Sequence, residues 1–143
     1  MTRTIQIKHN GQTYYGKVAR ITSTTLGIEG HGIATAYLNV EGDGWGVSVG
    51  GFCLDTPVEV DGKYSHREGT AFGFDHIMQL ARTVGSLTWE GLVDMDVIVL
   101  FEGRNSWGSS AVGIAHVSDE SKVMILKEHA DAWKAAHAGQ VTA

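Results

Sequence analysis

The most restrictive feature of this sequence is one long amphipathic helix predicted within residues 65–85, the only such helix before the C-terminus. Thr70 is expected to cap its N-terminus and Gly85 to end it. Apolar residues at helical spacing predict one face that lies on a sheet, namely Phe74, Ile77, Leu80, Ala81 and Val84. The rest of the chain must therefore supply a mainly β structure.

The start of this helix has two interpretations. Its first backbone N–H groups lack helical partners and attract anions, and His66 and Arg67 come just before it. A phosphate site would use those features. Every helix start has free N–H groups, however, so the local sequence alone favours an ordinary capped core helix.

Alternating apolar and polar residues predict antiparallel strands elsewhere. Asn10-Gly11 predicts a type I′ turn between strands at residues 3–8 and 12–23. Further strands are expected at residues 33–40 and 45–54, with a turn at residues 41–44. Glycine supplies 19 of the 143 residues and proline one, which favours tight turns in a β-rich fold.

The second half completes an α+β prediction. Residues 55–69 are expected to be irregular, and Thr88 to cap a short helical turn. The apolar residues 96–102 predict a strand at the centre of the sheet, residues 111–117 and 122–126 two more strands, and residues 127–137 a helix. The fold class is therefore antiparallel β-sheet packed with one main helix, a short helical turn and a C-terminal helix.

Length and composition indicate a single domain over residues 1–143 that buries its own core. A formal charge of −5 argues against a general DNA or RNA binder, which needs a basic face. Residues 1–10 lack the apolar segment of a signal peptide, and residues 97–101 are too short to cross a membrane. We therefore expect a soluble, cytoplasmic protein without membrane or DNA partners.

The sequence shows no metal-ligand motif and no nucleotide-binding P-loop. The seven histidines have no partner at zinc-ligand spacing, and no GxxxxGK[ST] pattern occurs. Cys53, between Phe52 and Leu54, is expected to be a buried small side chain in a strand. These observations predict no metal, no cofactor and no catalytic residue.

Several residues suit binding instead. Arg67 and Arg104 flank glycine-containing loops, Asn105 offers a donor and an acceptor, and Trp107 offers a stacking face. Together they could hold a nucleotide. Taken one at a time, Arg104 and Asn105 also fit turn positions and Trp107 fits core packing.

Three motif groups, in order over roughly residues 21–127, resemble one known family. The first is TTLGIEGHGIAT (residues 24–35) followed by the glycine-rich residues 45–55. The second is GTAFGFD (residues 69–75) with TWEGL (residues 88–92) behind it. The third is WG (residues 107–108) followed by VGIAH (residues 112–116). Together they resemble the first class of Thoeris anti-defence proteins, which are phage-encoded sponges for cyclic ADP-ribose signals.

The resemblance implies a non-enzymatic role in an infected bacterium. Family members bind glyco-cyclic ADP-ribose isomers intact and so block Thoeris immunity, and some also sequester the cyclic oligonucleotides of CBASS. Members are homo-oligomers, commonly hexamers built from dimers. Compared with shorter members, the N-terminal hairpin (residues 1–23) and the C-terminal helix (residues 127–143) are expected to be additions to the ligand-binding core.

The same resemblance implies which residues contact the ligand. Arg67 is expected to bind the pyrophosphate, Asn105 the ribose or base, and an aromatic ring such as Trp107 the adenine. Lys122 is a further phosphate partner. The complete predicted set is Arg67, Gly69, Thr70, Arg104, Asn105, Trp107, Gly108 and Lys122.

Two other functions stay open from the sequence. An enzyme that degrades the same messenger would use His31, His66 or His116, because histidine titrates near neutrality. A module that inhibits a host defence protein would use exposed aromatic residues such as Trp45.

Overall fold

The computed structural model describes residues 4–103 and 110–137 of the chain. Within them the chain is α+β, as the sequence predicts, with a mostly antiparallel sheet and two helices. The strands are β1 (Thr4–His9), β2 (Gln12–Ile28), β3 (Ala34–Gly42), β4 (Trp45–Gly50), β5 (Asp55–Val60), β6 (Lys63–Gly69), β7 (Asp96–Phe101), β8 (Gly113–Ala115) and β9 (Val123–Ile125). The helices are α1 (Ala71–Val84), a 3₁₀ turn (Glu90–Leu92) and α2 (Leu126–Ala136).

The main sheet has seven strands in the described residues. Six run in the order β4-β3-β2-β7-β8-β9, and β1 pairs with the first half of β2. β7 lies inside this sheet, between β2 and β8, which confirms the predicted interior strand. The Asn10-Gly11 turn is also confirmed, because both residues have positive φ and His9 pairs with Gln12.

The sheet buries both faces of its interior strands. Val97, Val99 and Phe101 of β7 belong to the larger core cluster, which includes Leu80 and Val84 of α1. The side chains of Ile98 and Leu100 point to the opposite face and join a smaller cluster. This alternation follows from the two-residue period of a strand.

Helix α1 confirms the predicted caps. The Thr70 hydroxyl accepts a hydrogen bond from the Gly73 N–H at 2.9 Å, and Gly85 adopts the left-handed conformation at φ 105°. Thr88 likewise accepts from the Gly91 N–H at 2.9 Å in the 3₁₀ turn. These caps satisfy backbone donors that a helix start leaves free.

The predicted buried face of α1 is partly wrong. Phe74 is 67% exposed, while Gly73, His76 and Thr83 are buried beside Leu80 and Val84. Gly73 lies against the Leu54 backbone, where a Cβ would overlap the Leu54 carbonyl. The helix rotates so that its smallest residue meets that backbone, which turns Phe74 outward.

Two further expectations are corrected between β4 and α1. Residues 55–69, expected to be irregular, form the hairpin β5–β6 with positive φ at Asp61 and Gly62. Cys53 is exposed, not buried, because β4 ends at Gly50 before reaching it. In the part of the chain that the structure describes, no helix is long and apolar enough to cross a membrane.

Candidate functional site

A cleft of about 760 Å³ lies between helix α2, the start of strand β2 and the ends of strands β4 and β7. We call it the α2 cleft. Its volume lies in the range of small-molecule sites. Aromatic and aliphatic side chains form much of its wall. The lining residues are Gln12, Tyr14, Gly50, Phe52, Glu102, Ser110, Ala111, Val112, Ile125, Leu126, Lys127, Glu128, Asp131 and Ala132.

The charged lining of the α2 cleft is mostly acidic. Glu102, Glu128 and Asp131 contribute carboxylates, and Lys127 contributes the one ammonium among the lining residues. Lys127 Nζ lies 2.7 Å from Asp131 Oδ2, one turn further along the helix. These oxygens can accept hydrogen bonds from hydroxyl and amino groups of a ligand.

The turn between β1 and β2 fixes one of these carboxylates. His9 Nε2 and Asn10 Nδ2 each lie 2.8 Å from Glu128 Oε1. Nearby, the Tyr14 hydroxyl donates to Gln12 Oε1 at 2.8 Å. Burial, together with the negative charges of Glu128 and Glu102, raises the pKa of Tyr14. The phenol therefore stays protonated and remains a hydrogen-bond donor.

A smaller cavity of about 510 Å³ adjoins the α2 cleft and shares Phe52, Lys127 and Asp131 with it. It adds the Phe72 ring and the ammonium of Lys134. We call the two adjoining cavities together the groove along α2. Glu102 and Glu128 lie at its cleft end, and Lys134 and Phe72 lie at the other end.

Aromatic rings hold α2 against α1 beneath this groove. Phe72 lies 5.6–6.4 Å, centroid to centroid, from the rings of His76, His129 and Trp133. His129 Nε2 is also 2.7 Å from Asp75 Oδ2 on α1. The groove therefore has a wall that is fixed by ring packing and by one hydrogen bond between His129 and Asp75.

His76 is the most unusual member of that ring cluster. Its side chain is fully buried, it stacks on Phe52 at 5.3 Å, and neither ring nitrogen has a partner among the described residues. Burial, with a smaller contribution from His129, lowers the pKa of His76 to about 4. The ring is neutral at physiological pH and serves as part of the wall behind Phe52.

Arg67, the predicted pyrophosphate ligand, is engaged within the chain. Its guanidinium lies 2.9 Å from Asp55 Oδ1 and 3.4 Å from Cys53 Sγ, and its side chain is 21% exposed. The hydrogen bond from Arg67 lowers the pKa of Asp55 to about 2. Arg67 therefore ties β6 to the start of β5.

Gly69 and Thr70 lie beside Arg67, at the end of β6 and the start of α1. The Thr70 hydroxyl accepts from Gly73 and donates to the Leu54 carbonyl at 2.9 Å, so its role in the chain is structural. A Cβ at Gly69 would contact nothing within 4 Å.

Lys122 lies in a different place. It lines a groove at the other end of α1, with Arg82 and Gly85. Because α1 has 14 residues, its two ends are about 20 Å apart. Within one copy of the chain, Lys122 and the group around Arg67 therefore belong to separate regions.

Four predicted ligand residues lie outside the described residues: Arg104, Asn105, Trp107 and Gly108. That segment follows Gly103 and precedes Ser110. Ser110 and Glu102, the residue before Gly103, line the α2 cleft.

Sequence reasoning missed the cleft residues Tyr14, Phe52 and Glu128. Phe52 stood in the glycine-rich part of the first motif, which was a usable signal. Tyr14 and Glu128 are more than 100 residues apart, and no local pattern links them.

No cluster of three or more His, Cys, Asp or Glu side chains suited to a metal ion occurs in the described ranges. No protein family, curated protein or solved structure matches this chain.

Proposed function

We propose that this protein binds cyclic ADP-ribose-type immune signals, in particular glyco-cyclic ADP-ribose isomers, and sequesters them unaltered in the α2 cleft. Such binding would block Thoeris immunity in the cytoplasm of a phage-infected bacterium. Homo-oligomerisation and binding of CBASS cyclic oligonucleotides belong to the same proposal, through the family resemblance.

One observation carries this proposal. Gly50 and Phe52 come from the first motif group and Val112 from the third, and all three line the same nucleotide-sized cleft. Residues of the first and third motif groups therefore line one cavity, although they are about 60 positions apart in the sequence. A random match of short motifs gives no reason for such convergence.

The chemistry of the groove suits the parts of such a ligand. Phe52 and Phe72 offer faces for a base, and carboxylates such as Glu128 can accept from ribose hydroxyls. Lys127 and Lys134 can attract phosphates. A sequestering protein needs a site formed before the ligand arrives, and the packed wall of α2 meets that need.

The test is capture and release. The full chain is incubated with each glyco-cyclic ADP-ribose isomer, filtered and heat-denatured, and the supernatant is analysed by mass spectrometry. We expect the ligand to disappear on binding and to return unchanged. Recovery of linear ADP-ribose would make the protein an enzyme, and absence of capture would refute the proposed function.

A matched pair of variants tests the location of the site. Ala132 lines the cleft and Ala135 does not, yet both are exposed on α2. Ala132→Trp should fill the cleft and reduce capture at least tenfold, while Ala135→Trp should leave capture unchanged. Equal capture by both variants would show that the ligand binds outside the α2 cleft. It would not refute sequestration itself.

A further inference from the structure

A second groove, of about 460 Å³, lies at the C-terminal end of α1. It shares no lining residue with the α2 cleft. Arg82 and Lys122 line it from two different elements, α1 and the loop between β8 and β9. Two cations that face one groove repel each other, and an anion between them removes that repulsion.

Both cations are available to a ligand. In the described part of the chain, neither the Arg82 guanidinium nor the Lys122 ammonium has a hydrogen bond or a carboxylate within 4 Å. Lys122 interacts electrostatically with Asp119, whose pKa is lowered chiefly by hydrogen bonds from Ser121 and only to a lesser degree by Lys122. Asp119 accepts from the Ser121 hydroxyl and N–H, so that carboxylate is already engaged.

The walls of this groove are held by internal hydrogen bonds. In the β8–β9 loop, His116 Nδ1 accepts from the N–H groups of Ser118 and Asp119 at 3.1 and 3.0 Å. The Lys122 N–H donates to the Asp119 carbonyl at 3.0 Å. The backbone that carries Lys122 is therefore fixed before any ligand binds.

The opposite wall is equally well defined. Gly85 ends α1 in the left-handed conformation, and a Cβ there would lie 2.9 Å from His116 Nε2. The Ser86 hydroxyl donates to the Thr88 carbonyl at 2.7 Å. Leu87 follows Ser86 and is fully exposed at the rim of the groove. Arg82 and Lys122 are thus unpaired donors on two walls whose own backbone groups are engaged.

We infer that the groove between Arg82 and Lys122 binds the phosphate groups of a phosphorylated small molecule. The inference depends on this geometry and not on the proposed sequestering function. Arginine binds phosphate oxygens through its planar fork and lysine through a point charge, so both side chains that line this groove suit phosphate.

Calorimetric titration with inorganic pyrophosphate tests the inference on the full chain. We expect one saturable site per chain. The double variant Arg82→Gln/Lys122→Gln should weaken binding at least tenfold. Lys8→Gln/Lys63→Gln removes the same charge from exposed strand positions and should bind as the parent does.

Thermal unfolding of both double variants checks that they fold. Because all four side chains are exposed, neither variant should change the midpoint by more than about 2 °C. Absence of saturable pyrophosphate binding by the parent would overturn the inference. Equal weakening in the two double variants would also overturn it, since that result would indicate general charge attraction and not a site.

Discussion

The buried His76 makes a sharp prediction about stability in mild acid. The folded protein holds this imidazole with a pKa of about 4, whereas an unfolded histidine titrates near 6.5. The lowered pKa means that the folded state disfavours the charged ring. Stability contributed by the neutral ring is therefore fully present above pH 6.5 and is lost as the pH falls towards 4.

The magnitude follows from the two pKa values. Each pH unit below 6.5 costs about 1.4 kcal/mol, because the unfolded chain takes up a proton that the folded chain refuses. Between pH 7.5 and pH 5 the free energy of unfolding should fall by about 2 kcal/mol, and by about 3 kcal/mol in total below pH 4. Most carboxylates titrate below pH 5. The loss of stability between pH 7.5 and pH 5 therefore comes mainly from histidine.

The variant His76→Phe separates this effect from that of other histidines. Phenylalanine keeps a ring between Phe52 and Phe72 but cannot take a proton. Urea unfolding, followed by tryptophan fluorescence at pH 7.5, 6.5, 5.5 and 5, gives the free energy for both proteins. The parent should lose about 2 kcal/mol more than the variant across this range. Parallel curves for the two proteins would refute the assignment of the acid sensitivity to His76.

Two further predictions concern helix α1. Gly73→Ala should lower the free energy of unfolding, measured in urea, by about 3 kcal/mol, because the added Cβ would overlap the Leu54 backbone. The control variant Gly27→Ala has open space around the added Cβ and should change this free energy by less than about 0.5 kcal/mol. Thr70→Ala should cost about 1 kcal/mol through loss of the N-cap, and Thr70→Ser should restore most of it; an unchanged thermal midpoint in Thr70→Ala would contradict the capping role.

Short sequence patterns predicted the structure correctly at turns and helix ends, where the backbone conformation requires a particular residue type. Asn10-Gly11 predicted a turn with two positive φ values, and Thr70 and Gly85 predicted both ends of α1. Asp61-Gly62 carries the same turn signal, but the polar residues around it concealed the hairpin β5–β6. That hairpin is almost wholly exposed, so its strands lack the apolar alternation that marks a buried strand.

Tertiary packing determined the buried face of α1 and the α2 cleft, which local sequence patterns did not predict. Apolar periodicity assigned Phe74 to the buried face of α1, but the closest approach to Leu54 requires Gly73, and His76 occupies the next buried position. Neither glycine nor histidine registers in an apolar pattern. The α2 cleft could not be predicted from the sequence either, because Tyr14, Phe52 and Leu126 come to line one cleft only after the sheet has formed.

The charges along α2 restrict how a nucleotide can lie in the proposed site. Glu102 and Glu128 would repel phosphates at the cleft end, so that end suits ribose hydroxyls and the amino group of a base. Lys127 and Lys134 are seven residues apart, which places them on one face of the helix about 10 Å from each other. Because Asp131 already pairs with Lys127, a diphosphate gains most from Lys134 and from a position beside Phe72. The groove therefore favours a ligand with its sugar and its phosphates at opposite ends, and a compact anion such as free phosphate would use only one of them.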